Sequence, residues 1–283
     1  MNAMIILNYN DSDNCISLVS AVKNFGCIDR IIVVDNCSTD GSYEKLLPYA
    51  DEKTDIVQTD KNGGYSYGNN YGVRIAVDRY YADKLVLSNT DVIVDEETLS
   101  ASLNAIGKDN IAYCAPLMQY SYKSEPEPMS KRSKNWFSML MNKTITGTLI
   151  RKARKPKAHP EGLHKIEIMC GALFCITAKS FSEVGMFDEH MFLYFEEETL
   201  FYKLNKKGYE TIADGDHKYI HAHGASINKS IKGKYRKFVE GAKSEKYFWF
   251  NIVKINAFSK LIYNILASII RFERFVGYTL TGR

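Results

Sequence analysis

Short apolar runs rich in β-branched residues alternate with helix-period segments along the N-terminal third of this chain. Met4 to Leu7 reads as a buried strand, followed by a helix over Asn14 to Phe25. Arg30 to Asp35 forms a second strand, then a helix covers residues 41–50. A third strand over Asp55 to Thr59, a helix over Tyr67 to Arg79 and a fourth strand over Lys84 to Ser88 continue the series. Continuous apolar strands separated by helices predict an α/β fold, with parallel strands covered on both faces. In such sheets ligands bind beyond the carboxyl ends of the strands, so the polar residues that follow each strand are the candidates for chemistry.

The alternation breaks between Gln119 and Ile166. This segment carries Pro126, Pro128, Pro156 and Pro160, and from Lys131 to Lys157 it has Lys and Arg but no Asp or Glu. It is predicted to be a mobile excursion with one short helix over Trp136 to Met141. An apolar strand-like run resumes over Ile166 to Thr177, passing through Gly171. After Ser226 the chain is first basic and then amphipathic. The expected organisation is an α/β domain over residues 1–226 and a helical extension over 227–283. The apolar helical faces within 229–275 fit packing on the parent domain, a homo-oligomer interface, or peripheral contact with an anionic membrane.

Composition narrows this picture only slightly. The chain has 283 residues, 45% hydrophobic and 25% charged, and its net charge of +4 argues against a nucleic-acid partner. No apolar run reaches the roughly 18 residues of a membrane span. The cysteines lack repeated spacing, which predicts reduced thiols and a cytoplasmic location; peripheral contact at the inner face of the membrane is the option that residues 229–275 leave open.

Four polar clusters stand at strand ends or between elements. Asp35 and Asn36 close the second strand, where a carboxylate and an amide can meet a nucleobase and ribose. Ser38 to Ser42 reads instead as turn and N-cap chemistry. The loop Asn62-Gly63-Gly64-Tyr65-Ser66-Tyr67-Gly68-Asn69-Asn70-Tyr71-Gly72 leads into a helix whose N-terminus can receive a diphosphate. Its glycines are spaced by four and do not follow the dinucleotide rule. Ser88-Asn89-Thr90-Asp91 presents one carboxylate after a buried strand, suited to a hard divalent cation or to a solvated turn. Glu196, Glu197 and Glu198 are adjacent, so mutual repulsion and burial raise the pKa of at least one, as a general base requires. Acids enriched at a helix N-terminus explain the same triplet structurally.

Taken together, these segments resemble the family 2 glycosyltransferases of the GT-A fold, in particular a bacterial rhamnosyltransferase-like branch. The resemblance runs from Met4 to Ser226 through Val34–Ser42, Asn62–Gly72, Ser88–Asp91, Gly185–Leu200 and His221–Ser226. It implies a mostly parallel sheet with helices on both faces and inverting transfer of a hexose or deoxyhexose. The implied donor is a UDP- or dTDP-linked sugar, and the implied acceptor is a hydroxyl of a glycan, glycoprotein or lipid-linked molecule. By position, Tyr9, Asp35 and Asn36 would meet the nucleoside. Asn62, Gly64, Gly68, Asn69 and Asn89 would line the donor pocket. Asp91 and His221 would ligate Mn²⁺ or Mg²⁺, and Glu197 would be the base, flanked by Glu196 and Glu198. Gly171, Asp188, Glu189 and His223 would face the acceptor. This sequence departs from the family pattern in having Glu at 197 for Asp, Thr199 for a second acid, and a single carboxylate in the metal motif. A nucleotidyltransferase would instead carry a glycine-rich basic loop after the first strand, where Asn8-Tyr9-Asn10-Asp11 stands. A catalytically degenerate nucleotide-sugar-binding or scaffold domain fits the same departures.

Overall fold

Alternation within each strand decides the layering. In the first strand, β1 (Asn2–Asn8), Ala3 and Ile5 enter one apolar core while Met4 and Ile6 enter another. In β2 (Arg30–Asp35), Ile32 and Val34 join the first core, and Ile31 and Val33 the second. A strand apolar on both faces must be covered on both, so the sheet lies between two layers of helix. The computed structural model describes residues 1–127, 135–144, 146–148, 150, 161–169, 171–222 and 233–280.

The remaining strands are β3 (Thr54–Gln58), β4 (Lys84–Asn89), β5 (Val92–Ile93), β6 (Ile111–Tyr120), β7 (Leu163–Lys165), β8 (Leu173–Thr177) and β9 (Glu210–His221). They order as β3-β2-β1-β4-β8-β6-β9-β5, with β7 also on β9. Strands β1 to β4 pair in parallel, as does β6 with β9, whereas β8 runs antiparallel to β4 and β6. Helices α1 (Ser12–Val22), α2 (Ser42–Leu46), α3 (Gly64–Tyr80), α4 (Glu96–Ala105), α5 (Trp136–Met141), α6 (Ala178–Glu183) and α7 (Glu196–Lys206) accompany the sheet. Two more, α8 (Lys234–Tyr247) and α9 (Ala257–Leu280), follow it.

Helix α3 begins at Gly64, three residues before the predicted start, and lies unusually close to the sheet. A Cβ at Gly68 would stand 2.3 Å from Leu7 Cδ1, and one at Gly72 would stand 2.7 Å from both Ile5 and Val34. These glycines serve helix-to-sheet contact.

Two expectations are corrected. The apolar run from Ile166 is a strand only from Leu173. At Gly171 itself the backbone bonds to side chains: its carbonyl accepts from Tyr65 Oη at 2.7 Å, and its amide donates to Glu197 at 3.0 Å. The irregular excursion is also narrower than 119–166, because β6 continues to Tyr120 and β7 occupies Leu163–Lys165. Its short helix α5 lies where predicted, while 128–134 and 151–160 fall outside the described residues.

Leu140, Met191, Phe195, Phe248, Trp249, Tyr263 and Ile270 form a third apolar cluster joining α5, α9, the turn that follows α8 and the segment before α7, with Phe238 and Tyr247 of α8 packed against it. Within this region Glu245 is buried against Lys143 and Tyr263. Burial pushes the Glu245 carboxyl up, and the Lys143 ammonium opposes that shift.

Candidate functional site

The site begins at the tips of β1 and β2. Asp35 is wholly buried, yet its carboxylate accepts three bonds: from Asn8 Nδ2 at 2.8 Å, from the Ser38 amide at 2.9 Å and from Gln58 Nε2 at 3.1 Å. A buried carboxylate without such donors would be strongly disfavoured. Asn36 is buried beside it and turns towards the glycine loop, donating to Asn62 Oδ1 at 3.1 Å and to the Gly64 carbonyl at 3.0 Å. Tyr9 is half-buried at the end of β1.

Gly64 has φ +90°, and a Cβ there would stand 2.1 Å from the Phe192 carbonyl oxygen. The next amide, of Tyr65, donates to that same oxygen at 3.0 Å. Only glycine permits this approach, which clamps the start of α3 to the segment preceding α7. Asn69 donates to the Tyr65 carbonyl at 3.0 Å, while Asn70 donates to the Phe187 carbonyl and to Glu189 and accepts from the Phe187 amide. Tyr65 and Asn70, which the sequence reading did not single out, thus join the loop to the segment before α7. Both stand within the glycine-loop motif, which was the available signal.

At the tip of β4, the Asn89 amide donates to the Ala172 carbonyl at 2.8 Å. Thr90 Oγ1 donates to Asp11 Oδ2 at 2.6 Å, a partnership with no sequence signal. Asp91 and His221, 130 positions apart, meet at 3.1 Å between Oδ1 and Nε2, and both are buried. The cause is the short antiparallel pairing of β5 with the end of β9, which sets Val92 opposite His221. One carboxylate oxygen and one imidazole nitrogen suit a borderline cation such as Mn²⁺, provided that other oxygens complete its shell. Among the described residues no group of three or more His, Cys, Asp or Glu could hold a metal unaided. The protein pair therefore fits a cation that also binds a diphosphate.

The three glutamates open α7. Tyr194 and Phe195 both have φ +69° directly before them, a left-handed conformation that costs side-chain-bearing residues roughly 1–2 kcal/mol each. This bend directs Glu197 at Gly171, where a Cβ would stand 2.8 Å from Glu197 Oε1. Burial, then the charges of Glu197 and Glu198, push the Glu196 carboxyl well above the ordinary glutamate range. Burial also raises Glu197, against the pull of its own and the Gly171 backbone amides. Glu196 Oε2 is buried without a hydrogen-bond partner. Thr199 lies on the inner face of α7, its hydroxyl 3.8 Å from Met191 Sδ, where an acid would be buried against a thioether.

These parts are contiguous. Asn89, two residues from Asp91, bonds to Ala172, and the adjoining Gly171 bonds to Glu197. Asn36 bonds to Gly64, and Tyr65 bonds to Gly171. A cavity of about 500 Å³ opens on Glu197 and Glu198, with Lys143, Lys234, Phe238 and Tyr278 among its walls. Asp188 and Glu189 diverge: Asp188 bonds to His190 and to Tyr247 of α8, and Glu189 bonds to Asn70 and Arg74 of α3. His223 lies outside the described residues.

A model of the family described as Glycosyl transferase family 2 matches residues 4–170. The low-salt glycan biosynthesis hexosyltransferase Agl10 of Haloferax volcanii is 23% identical over 208 residues, covering 72% of this chain. The match spans 62% of that relative's length. GalNAc-T7, solved with UDP, GalNAc and Mn²⁺, superposes with a TM-score of 0.64 at 16% identity, covering 90% of this chain and 53% of its own. The mannosyltransferase PcManGT from Pyrobaculum calidifontis, solved with GDP-Man and Mn²⁺, gives 0.59 at 13% identity, covering 100% of this chain and 76% of its own. These likenesses show the GT-A fold expected from the sequence, with its mostly parallel sheet and C-terminal helices.

Proposed function

The chain belongs to glycosyl transferase family 2, and on that premise we propose that it transfers a hexose or deoxyhexose from a nucleoside-diphosphate sugar to an acceptor hydroxyl, with inversion. The observation that carries this reading is the contiguity of the Asp91–His221 pair, whose chemistry suits a cation, with Gly171 and Glu197, whose carboxyl is raised by burial. Asp35 and Tyr9 receive the nucleoside, and the Asn62–Asn69 loop with Asn89 borders the donor. The cavity beside Glu197 receives the acceptor, with Gly171 at its margin.

Glu197 takes the proton of the acceptor hydroxyl as that oxygen attacks the anomeric carbon. The bond from this carbon to the diphosphate oxygen breaks, and the nucleoside diphosphate leaves with the electron pair. Attack from the face opposite the leaving group inverts the centre in a single displacement. Gly171 holds Glu197 in place through its amide, and the unsatisfied, protonation-prone Glu196 keeps negative charge from accumulating beside it. A divalent cation on Asp91 and His221, when bound, supplies Lewis-acid stabilisation of the departing diphosphate.

The test is a panel of UDP-, dTDP- and GDP-sugars, read by thermal shift with Mn²⁺ and with chelator, followed by a transfer assay. One nucleotide class should raise the melting temperature only with metal, by up to about 3 kcal/mol of stability at roughly a hundredfold excess over Kd. No response from any donor would remove the donor site. Binding without turnover against any acceptor would instead favour a degenerate binding domain.

A further inference from the structure

We propose that the outward face of α9 docks this protein on an anionic lipid bilayer. Helix α9 is apolar on two opposite sides. Its inner side places Tyr263 and Ile270 in the third core cluster, fully buried. Its outer side carries Phe258, Leu261, Ile265, Ile269, Phe272 and Phe275, each between 50% and 72% exposed. At about 100° per residue these six fall within an arc of roughly 120°, opposite the buried seam, and extend over about 26 Å of helix. Water does not ordinarily face an apolar stripe of this length.

The charge around the stripe identifies what covers it. Between Gly233 and Phe275 the chain has nine Lys and Arg against three Asp and Glu, a larger positive excess than the net +4 of the whole chain. Arg236 of α8 and Arg271 of α9 share a surface cavity of about 600 Å³ with Tyr235 and Phe192. Lys260 and Arg271 border one edge of the stripe on its helical wheel. A second copy docked through the same face would set these basic segments against each other, whereas an anionic surface complements them. Among the described residues no helix is long and apolar enough to cross a membrane, so α9 lies on the surface with its apolar stripe in the headgroup boundary. The helices concerned also wall the cavity beside Glu197, through Lys234 and Phe238 of α8 and Tyr278 of α9. Docking would thus bring that cavity close to the lipid surface.

The experiment is co-flotation of the full chain with vesicles of phosphatidylcholine alone, or with about one third phosphatidylglycerol. It reads binding alone and is independent of sugar transfer. The chain should float with anionic vesicles at low salt and roughly tenfold less with neutral ones. The variant carrying Phe258→Ser, Ile265→Ser and Phe272→Ser should lose about tenfold or more of this binding while melting as the parent does. Should that variant fold poorly, Lys260→Glu with Arg271→Glu leaves the apolar stripe intact, gives up the Lys260–Phe250 ring contact and the long Arg271–Tyr235 bond, and should abolish the preference for anionic lipid. Absence of flotation at either composition overturns the proposal, as does undiminished binding by both variants. A lipid-free dimer that the serine variant converts to monomer, without vesicle binding, would assign the face to a second copy.

Discussion

Two buried carboxylate regions flank the proposed reaction centre, and they are built in opposite ways. Asp35 is surrounded by donors, with three hydrogen bonds from Asn8, Ser38 and Gln58. The glutamates of α7 are crowded: burial and mutual repulsion act on them together, and Glu196 Oε2 has no hydrogen-bond partner. The first arrangement holds a side chain in one orientation. The second raises proton affinity and is reached through two strained residues, Tyr194 and Phe195. A binding subsite gains from satisfied polar groups, whereas a base gains from a neighbourhood that makes its charged form less comfortable.

The comparison can be broken most sharply at Glu197. Glu197→Gln should reduce transfer by about 10³-fold, within the range of general-base loss, and leave donor-dependent thermal shift intact. Retained turnover would move the base to Glu196 or Glu198. Next in size, Asp91→Asn should weaken Mn²⁺-dependent donor stabilisation by roughly ten- to a hundredfold, read by titrating metal against melting temperature. An unchanged titration would exclude Asp91 from the metal. Gly171→Ala tests the coupling between the two ends of the site: its Cβ would displace the Glu197 carboxylate, so kcat should drop about tenfold while donor binding holds.

The smallest effect concerns stability and carries a sign. The folded-state pKa of Glu196 is raised, so its ionised form costs stability in the fold. That cost is absent below the ordinary glutamate pKa and grows as pH rises towards the raised value. Glu196→Gln should therefore melt higher than the parent at neutral pH, by about 1 kcal/mol, and the two should converge in acid. A difference that does not vary with pH would show that the repulsion is relieved in some other way.

Much of this site was legible beforehand because its residues fall at strand tips, and strand tips follow from apolar runs. Asp35, Asp91 and the Asn62–Gly72 loop are of this kind. Other features were not legible. Asp11 gives no pattern that pairs it with Thr90, and Asn70 gives none that ties it to Phe187 rather than to a ligand. The glycine spacing marks close approach, and the structure supplies the neighbours: the Phe192 carbonyl at Gly64 and the sheet at Gly68 and Gly72. A missing side chain signals close approach but not what approaches.

The sequence by itself determined the elements that depend on local periodicity: strands β1 to β4, the helices between them, the short α5, and the acidic first turn of α7. It also determined the amphipathic character of α9. Only the tertiary structure decided which distant pieces meet. The antiparallel pairing of β5 and β9 brought His221 to Asp91, the side-chain bonds at Gly171 joined Tyr65 to Glu197, and the third core left one apolar face of α9 pointing outward. Periodicity is a property of neighbours along the chain. Register between strands and the choice of buried face depend on packing across it, which no local pattern contains.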